Sequence, residues 1–465
     1  MQFDSLQYWS FFAAVLCLFL VTTGAVARAL LVAASYAFYA CWDVRFLALL
    51  AASTLANYLL GLLLERSAGG RRRIWLMAGV TINLGFLGFF KYYDFFAASL
   101  CALLGIDKAS WVLGVVLPVG ISFFTFEGIA YISDIYRREI GARRSLLDFA
   151  LFVSFFPHLV AGPIIRPHDF FPQLERDFTP DRADLQWSIY QILKGLFKKV
   201  VLSDAVALHA DHYFNGDGSV LPWVGVLAFT LRIYFDFSGY TDIARGCACL
   251  LGIRLPANFE RPYLATNISL FWRRWHISLS SWLRDYLYIP LGGSRTGPLR
   301  VYLNYLIVMG LGGIWHGANW NFLFWGLWHG LLLCVHRLWT TRLAGHVPAL
   351  LRGRAATALC WALTMLAVVI GWIPFRCETA AQTLRVLREL ATPALNPLSG
   401  VPLPFALMLG GFAAFYALDR NAGLERRIQA GLSWWLYLPG AGLVLWSIDL
   451  LMTRAGDIPF IYFRF

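Results

Sequence analysis

Residues 312–330 read GGIWHGANWNFLFWGLWHG. Apart from His316, His329, Asn319 and Asn321 the run is apolar and aromatic, with small residues between, and its length suits a helix crossing a bilayer. An ionisable group at that depth is costly and usually faces a water-filled cavity or a substrate path. His316 is therefore the first residue to suspect of chemistry.

Similar apolar runs recur on both sides of this stretch. Residues 11–26, 46–64, 74–90, 111–131 and 359–372 are clear examples, followed by 403–418 and 434–451. The chain has 465 residues, of which 59% are hydrophobic and 14% charged, and its mean hydropathy is +0.60. A soluble chain would carry about 25% charged residues. A window count gives about ten to twelve spans in one all-α, polytopic domain covering 1–465. Residues 1–136 form scaffold helices, 137–336 the catalytic core and 337–465 the C-terminal helices. The segment Met1 to Trp9 carries only Asp4 as a charge, so the first span is expected to be retained as a membrane helix and not removed as a signal peptide.

The net charge of +12 sits in short basic clusters: Arg71-Arg72-Arg73, Arg137-Arg138, Arg143-Arg144, Lys194 and Lys198-Lys199. Read as loops, these mark the cytoplasmic face and contact anionic lipid; a polyanion-binding surface is the alternative, and no nucleic-acid partner is expected. The span from Ile74 then crosses outward to the aromatic, charged belt at 89–94, and the span from Trp111 returns to Arg137. Of the eight cysteines, Cys247 and Cys249 form the sole close pair. No metal site or disulfide framework is expected, and the thiols read as buried and inert.

Several polar positions interrupt the apolar pattern. Pro118 and Gly120 break the returning span just before Glu127. That carboxylate either satisfies an internal hydrogen bond or lines a substrate path. Residues 155–163, FFPHLVAGP, hold two prolines and do not suit one regular helix. Asp236 and Asp242 stand six residues apart with Gly239 between them, and are expected in supporting roles or along a substrate path. The segment 271–293 mixes Trp, Arg, Asp and Pro too closely for a lipid-facing span and reads as short interfacial or re-entrant helices. Residues 376–398 have loop composition. No repeat and no inverted pair of broken helices occurs, which weakens a transporter or flippase reading. In such a reading Glu127, Asp236 and Asp242 would be the coupling groups.

Histidine titrates near neutrality and suits proton removal from a hydroxyl. Burial of His316 among Trp315, Trp320 and Trp325 would disfavour the imidazolium and leave a base ready to act; a buried histidine bonded across helices is the bland alternative. His329 lies thirteen residues on, so helical geometry alone does not bring the two rings together within a turn. A break between them or a difference in depth is expected, with His329 and Asn319 in supporting roles or along a substrate path. His276 follows Arg273 and Arg274, which could hold the phosphates of an anionic donor or anchor at headgroups. Asp285 and Arg284 could form a local pair. His158, His168, His209, His212, His336 and His346 have no comparable context. The chain has no G-x-S-x-G, Walker or H-E-x-x-H motif, so hydrolase, ATPase and zinc-protease readings have no support.

Taken together, PVGISF (118–123), FPHLVAGP (156–163), YFDFSGY (234–240), FWRRWHISLS (271–280), LGG (291–293) and GIWHG (313–317) resemble the membrane-bound O-acyltransferase (MBOAT) family. Within it, the nearest likeness is to the bacterial branch that contains the alginate O-acetyltransferase membrane subunit. The resemblance covers most of the chain. It implies a ring of helices around a central tunnel that brings an acyl donor to a buried histidine, which falls on His316. Many members pair that histidine with an upstream Asn or Asp; here His276 occupies the aligned place. The resemblance further implies acetyl-CoA as donor substrate with no bound cofactor, a bacterial inner-membrane location, an extracytoplasmic acetyltransferase partner and an exported polysaccharide as final acceptor. D-alanyl transfer to teichoic acid from a carrier protein is the alternative within the family.

Overall fold

The computed structural model describes residues 1, 3–176, 181–216, 220–295, 297–343, 353–392, 401–418 and 442. Among them every regular element is helical. The chain divides into two compact units. One comprises Met1–Ile192 and Tyr240–Pro256, the other Leu193–Gly239 and the described residues from Ala257 onward.

The first unit begins with α1 (Leu6–Leu20) and α2 (Gly24–Ala40). Residues 11–26, expected as one span, are divided between them. Thr22 Oγ1 donates to the carbonyls of Leu18 and Phe19 at 2.9 and 3.2 Å, closing the end of α1 and letting the chain turn. There follow α3 (Phe46–Arg66), α4 (Gly70–Leu87) and α5 (Tyr93–Leu104). A π-helical turn at Gly88–Tyr92 joins α4 and α5 into a rod of 35 residues. At about 1.5 Å per residue the rod is about 50 Å long, more than the about 30 Å of hydrocarbon in a bilayer. The aromatic belt falls on the π-helical turn.

The basic cluster at 71–73 lies in the first turn of α4 and not in a loop. Its central guanidinium has a structural task. Arg72 donates to Leu64 O of α3 at 3.1 Å, and to Ile135 O and Tyr136 O of α6 (Ile121–Arg137) at 2.7 and 3.1 Å. Terminal carbonyls of two helices thus share one cation, Leu64 O and Ile135 O also accepting the capping N–H groups of Ser67 and Arg138.

The expected span at 111–131 becomes helical only from Ile121. Asp94 accepts the backbone N–H groups of Leu113 and Val115 at 2.8 and 2.7 Å, which holds the preceding segment extended. Gly120, with φ 76°, seats against Leu159, whose carbonyl oxygen would lie 2.6 Å from an added Cβ. The double-proline run behaves as expected: α7 (Leu146–Ser154) stops, α8 (Phe156–Leu159) makes one turn, and Pro167 opens α9 (Pro167–Leu174). The unit takes in most of α10 (Arg182–Leu196).

In the second unit, Lys198 and Lys199 lie in a π-helical turn, Phe197–Ser203, and not in a loop. Lys199 is buried, 2.9 Å from Asp204 and 3.4 Å from Asp236, because a cation out of water needs nearby carboxylates. Next come α11 (Asp204–Phe214), the first part of α12 (Pro222–Leu250), α13 (Ile268–Arg274), α14 (Ile277–Leu283), α15 (Pro298–His316), α16 (Trp320–Leu338) and α17 (Arg354–Arg376). Asp211 of α11 pairs with Arg232 of α12 at 2.7 Å and with Arg376 of α17 at 3.1 Å, tying three helices together.

Residues 376–398 are not all loop: Ala380–Ala391 form α18, a strongly amphipathic helix. Thr379 caps it by accepting Gln382 N–H at 3.2 Å, Thr383 and Val386 face inward, and Tyr213 donates to Glu389 at 2.7 Å. The last helix among the described residues is α19 (Leu403–Leu418); apart from residue 442, the stretch 434–451 lies outside the described residues.

Among the described residues, Phe46–Arg66, Gly70–Leu104 and Arg354–Arg376 are long and apolar enough to cross a membrane, and Leu6–Leu20, Gly24–Ala40 and Leu403–Leu418 are shorter apolar helices. These helices agree with a membrane protein; the expected ten to twelve crossings exceed what their lengths establish. The cysteines divide: Cys101, Cys247, Cys249 and Cys377 are buried, whereas Cys17, Cys41 and Cys360 are exposed, which corrects the uniformly buried reading.

Candidate active site

The stretch 312–330 folds as a helical hairpin. α15 ends at His316, and Gly317 adopts an extended conformation. Asn319 then opens α16, its side-chain oxygen accepting Asn321 N–H at 2.9 Å. Its amide nitrogen donates to Glu378 O at 2.9 Å. The side chain expected to line a substrate path is therefore engaged at both ends in holding this corner. Small residues let the two helices touch: a Cβ on Gly313 would collide with Phe322 O, and one on Gly326 with Met309 O.

The hairpin resolves the thirteen-residue separation of the two histidines. The Trp325 ring stands between them, with centroids 5.1 Å from His316 and 5.0 Å from His329. Trp315 and Phe375 complete the wall around His316 at 5.0 and 5.2 Å. Trp320, expected in that wall, is 54% exposed. His329 is fully buried among Trp272, Trp325, Phe271 and Trp372. Neither of its ring nitrogens has a hydrogen-bond partner among the described residues.

The chain also brings His276 to His316, from forty positions upstream. Their ring centroids lie 6.3 Å apart, with Trp315 at 6.1 Å from His276 and Phe237 at 4.7 Å. His276 is completely buried. Its backbone has φ 43° and ψ 55°, a left-handed conformation that costs a residue with a side chain roughly 1–2 kcal/mol. Such outliers cluster at functional sites.

Two segments make this turn. Glu260 N–H donates to Arg274 O at 3.0 Å and Ile277 N–H to Asn258 O at 2.9 Å. The side-chain oxygen of Asn258 accepts both Ser278 N–H, at 3.2 Å, and Ser278 Oγ–H, at 2.6 Å. Asn258 is 1% exposed. Sequence reading passed it over, although PANFERP (256–262) offered a signal. An Asn between two prolines, outside any helical period, commonly serves the local backbone.

The other expected site residues fall in different places. Arg273 is exposed, with a 3.5 Å contact to Ser269, and Arg274 contributes its carbonyl to the turn just described. Arg284 and Asp285 form the local pair, at 2.6 Å. Asp236 faces Lys199, while the next residue, Phe237, touches His276. Asp242 and Glu127 belong to the first unit. Asp242 lies 4.0 Å from Arg245. Glu127 meets His158 Nε2 at 2.7 Å, with both side chains buried. His158 thus partners one oxygen of this carboxylate, Oε1, while Oε2 is buried with no hydrogen-bond partner among the described residues.

The described geometry is one of neutral hydrogen-bonding groups and aromatic walls around an imidazole pair, suited to proton transfer away from bulk water. A family model described as MBOAT, membrane-bound O-acyltransferase family, matches residues 137–370, half of the chain. A probable alginate O-acetylase of Pseudomonas putida is 39% identical over 470 residues, covering 94% of this chain and 94% of the relative. A second, from Pseudomonas aeruginosa, is 43% identical over 78% of this chain and 69% of its own length. A peptidoglycan O-acetyltransferase of Helicobacter pylori is 38% identical over 77% of this chain and 73% of its own.

Proposed function

We propose, for a chain that belongs to the membrane-bound O-acyltransferase family, that it moves an acetyl group from cytoplasmic acetyl-CoA across the bacterial inner membrane for O-acetylation of an exported polysaccharide. Membrane O-acetylation of such a polymer is what its relatives' activities on alginate and peptidoglycan support. The donor, the crossing and an extracytoplasmic protein that completes delivery belong to the proposal, as does a ring of helices around a tunnel.

The observation that carries this reading is the buried pair His276 and His316, 6.3 Å apart. His316 takes the proton from the acceptor hydroxyl as its oxygen attacks the thioester carbonyl. The new C–O bond forms, the C–S bond breaks, and the proton passes from His316 to the departing CoA thiolate. His276 orients the reacting groups from the opposite side. Arg273 and Arg274 meet the phosphates of the donor.

The test is His316→Ala in the full-length protein. Loss of a positioned general base lowers a rate by about 10²- to 10⁴-fold, so polymer-bound acetyl, read by mass spectrometry of the exported glycan, should disappear while the protein still accumulates in the membrane. A fully active variant would refute the assigned role.

A further inference from the structure

We infer that Asn258 is a positioning residue for the acyl transfer, acting through His276. This inference rests on the acetyl-transfer reading of the same site. A backbone at φ 43° relaxes to ordinary values unless its neighbours fix it. Asn258 fixes the residues that follow. Its carbonyl holds Ile277 N–H, and its side-chain oxygen holds both Ser278 N–H and Ser278 Oγ–H. Glu260, two residues on, holds Arg274 on the other side of the turn. The peptide groups flanking His276 are thereby tied to one short segment, 258–260.

The direction of the imidazole follows from that constraint. With both flanks fixed, the ring points into the aromatic wall, against Phe237 at 4.7 Å and toward His316 at 6.3 Å. Without the Asn258 side chain, Ser278 N–H and Oγ–H lose the shared amide oxygen that ties them to segment 258–260. The first turn of α14 is then free to rotate, and the ring of His276 moves with it. The amide nitrogen of Asn258 makes no hydrogen bond among the described residues, so its role there runs through its two oxygens.

The experiment compares the full chain, His276→Ala, Asn258→Ala and the double variant. Each is assayed in membrane vesicles with [14C]acetyl-CoA, reading alkali-labile label on polymer per amount of folded protein. Asn258→Ala should lower kcat on the order of 10- to 100-fold, the scale of a misplaced catalytic group, and leave KM for acetyl-CoA unchanged. Residues that act as a unit are not additive, so the double variant should be no slower than His276→Ala alone. Ser278→Ala, which removes the 2.6 Å hydroxyl bond to Asn258 but leaves the backbone one, should lower kcat in the same sense by less. An unchanged kcat in Asn258→Ala, or a double variant that loses the product of both single effects, overturns the inference. Should Asn258→Ala not accumulate, Ser278→Ala decides, and wild-type kcat there overturns it. Activity in His316→Ala would instead strike at the acetyl-transfer reading, so the two failures are distinct.

Discussion

Gly313→Ala tests whether the tight crossing of α15 and α16 sets the position of His316. Inside a helix the change gains up to about 1 kcal/mol of propensity. Here the new methyl would overlap Phe322 O and stand 3.0 and 3.1 Å from the Cα and N of Gly326. Carbon contacts are comfortable at about 3.5–4.0 Å, and the overlap with Phe322 O is tighter still, so the helices must part by about 1 Å or more. Overpacking of this kind costs about 1–3 kcal/mol, leaving a net loss of up to about 2 kcal/mol after the propensity gain. His316 follows one turn later on the same helix and moves with it. A displacement of about 1 Å at a catalytic group can cost 100-fold. The acetyl-transfer rate should therefore fall on the order of 10- to 100-fold, with a modest drop in melting temperature in detergent. Gly85→Ala is the control, because nothing lies within 4 Å of the added methyl; it should hold or raise stability. The reasoning fails if Gly313→Ala keeps both wild-type melting and wild-type rate, or if Gly85→Ala is equally harmful.

Two further outcomes follow from burial and pairing. Asp211→Ala leaves Arg232, 1% exposed, buried without that carboxylate, and should destabilise the protein by about 3–5 kcal/mol, read by thermal unfolding in detergent. Trp325→Ala removes the ring between His316 and His329 and should cost about 3–5 kcal/mol together with most acetyl transfer, whereas Trp320→Ala, at a position 54% exposed, should stay within about 0.5 kcal/mol of wild type.

Much of this arrangement could be read from local pattern. The apolar runs at 46–64 and 74–90 form helices because twenty or so such residues have no other way to satisfy their backbone in lipid. Pro157 and Pro163 keep 155–163 from forming one regular helix, as expected, because a ring in place of an N–H cannot continue the ladder; only the single turn of α8 forms there, and α6 begins only after Pro118 and Gly120. The failures share another cause. Lys199 looked like a surface cation because its carboxylates, Asp204 and Asp236, lie on other helical segments. The helix at 380–391 looked like loop because its charges mask a stripe that needs Tyr213 and the Phe214 carbonyl to define its inner face. The meeting of His276 with His316, and of Glu127 with His158, depends on how distant segments fold back. Periodicity carries no record of that.

The triple capture of carbonyls by Arg72 has a bearing on how the protein is made. Leu64 precedes Arg72 by eight residues, but Ile135 comes 63 residues later. At about 5–20 residues per second of synthesis, the guanidinium waits roughly 3–13 s for its distant acceptors to leave the ribosome. During that interval the α3–α4 corner holds one of its three backbone ligands, so its closure is timed by the arrival of α6.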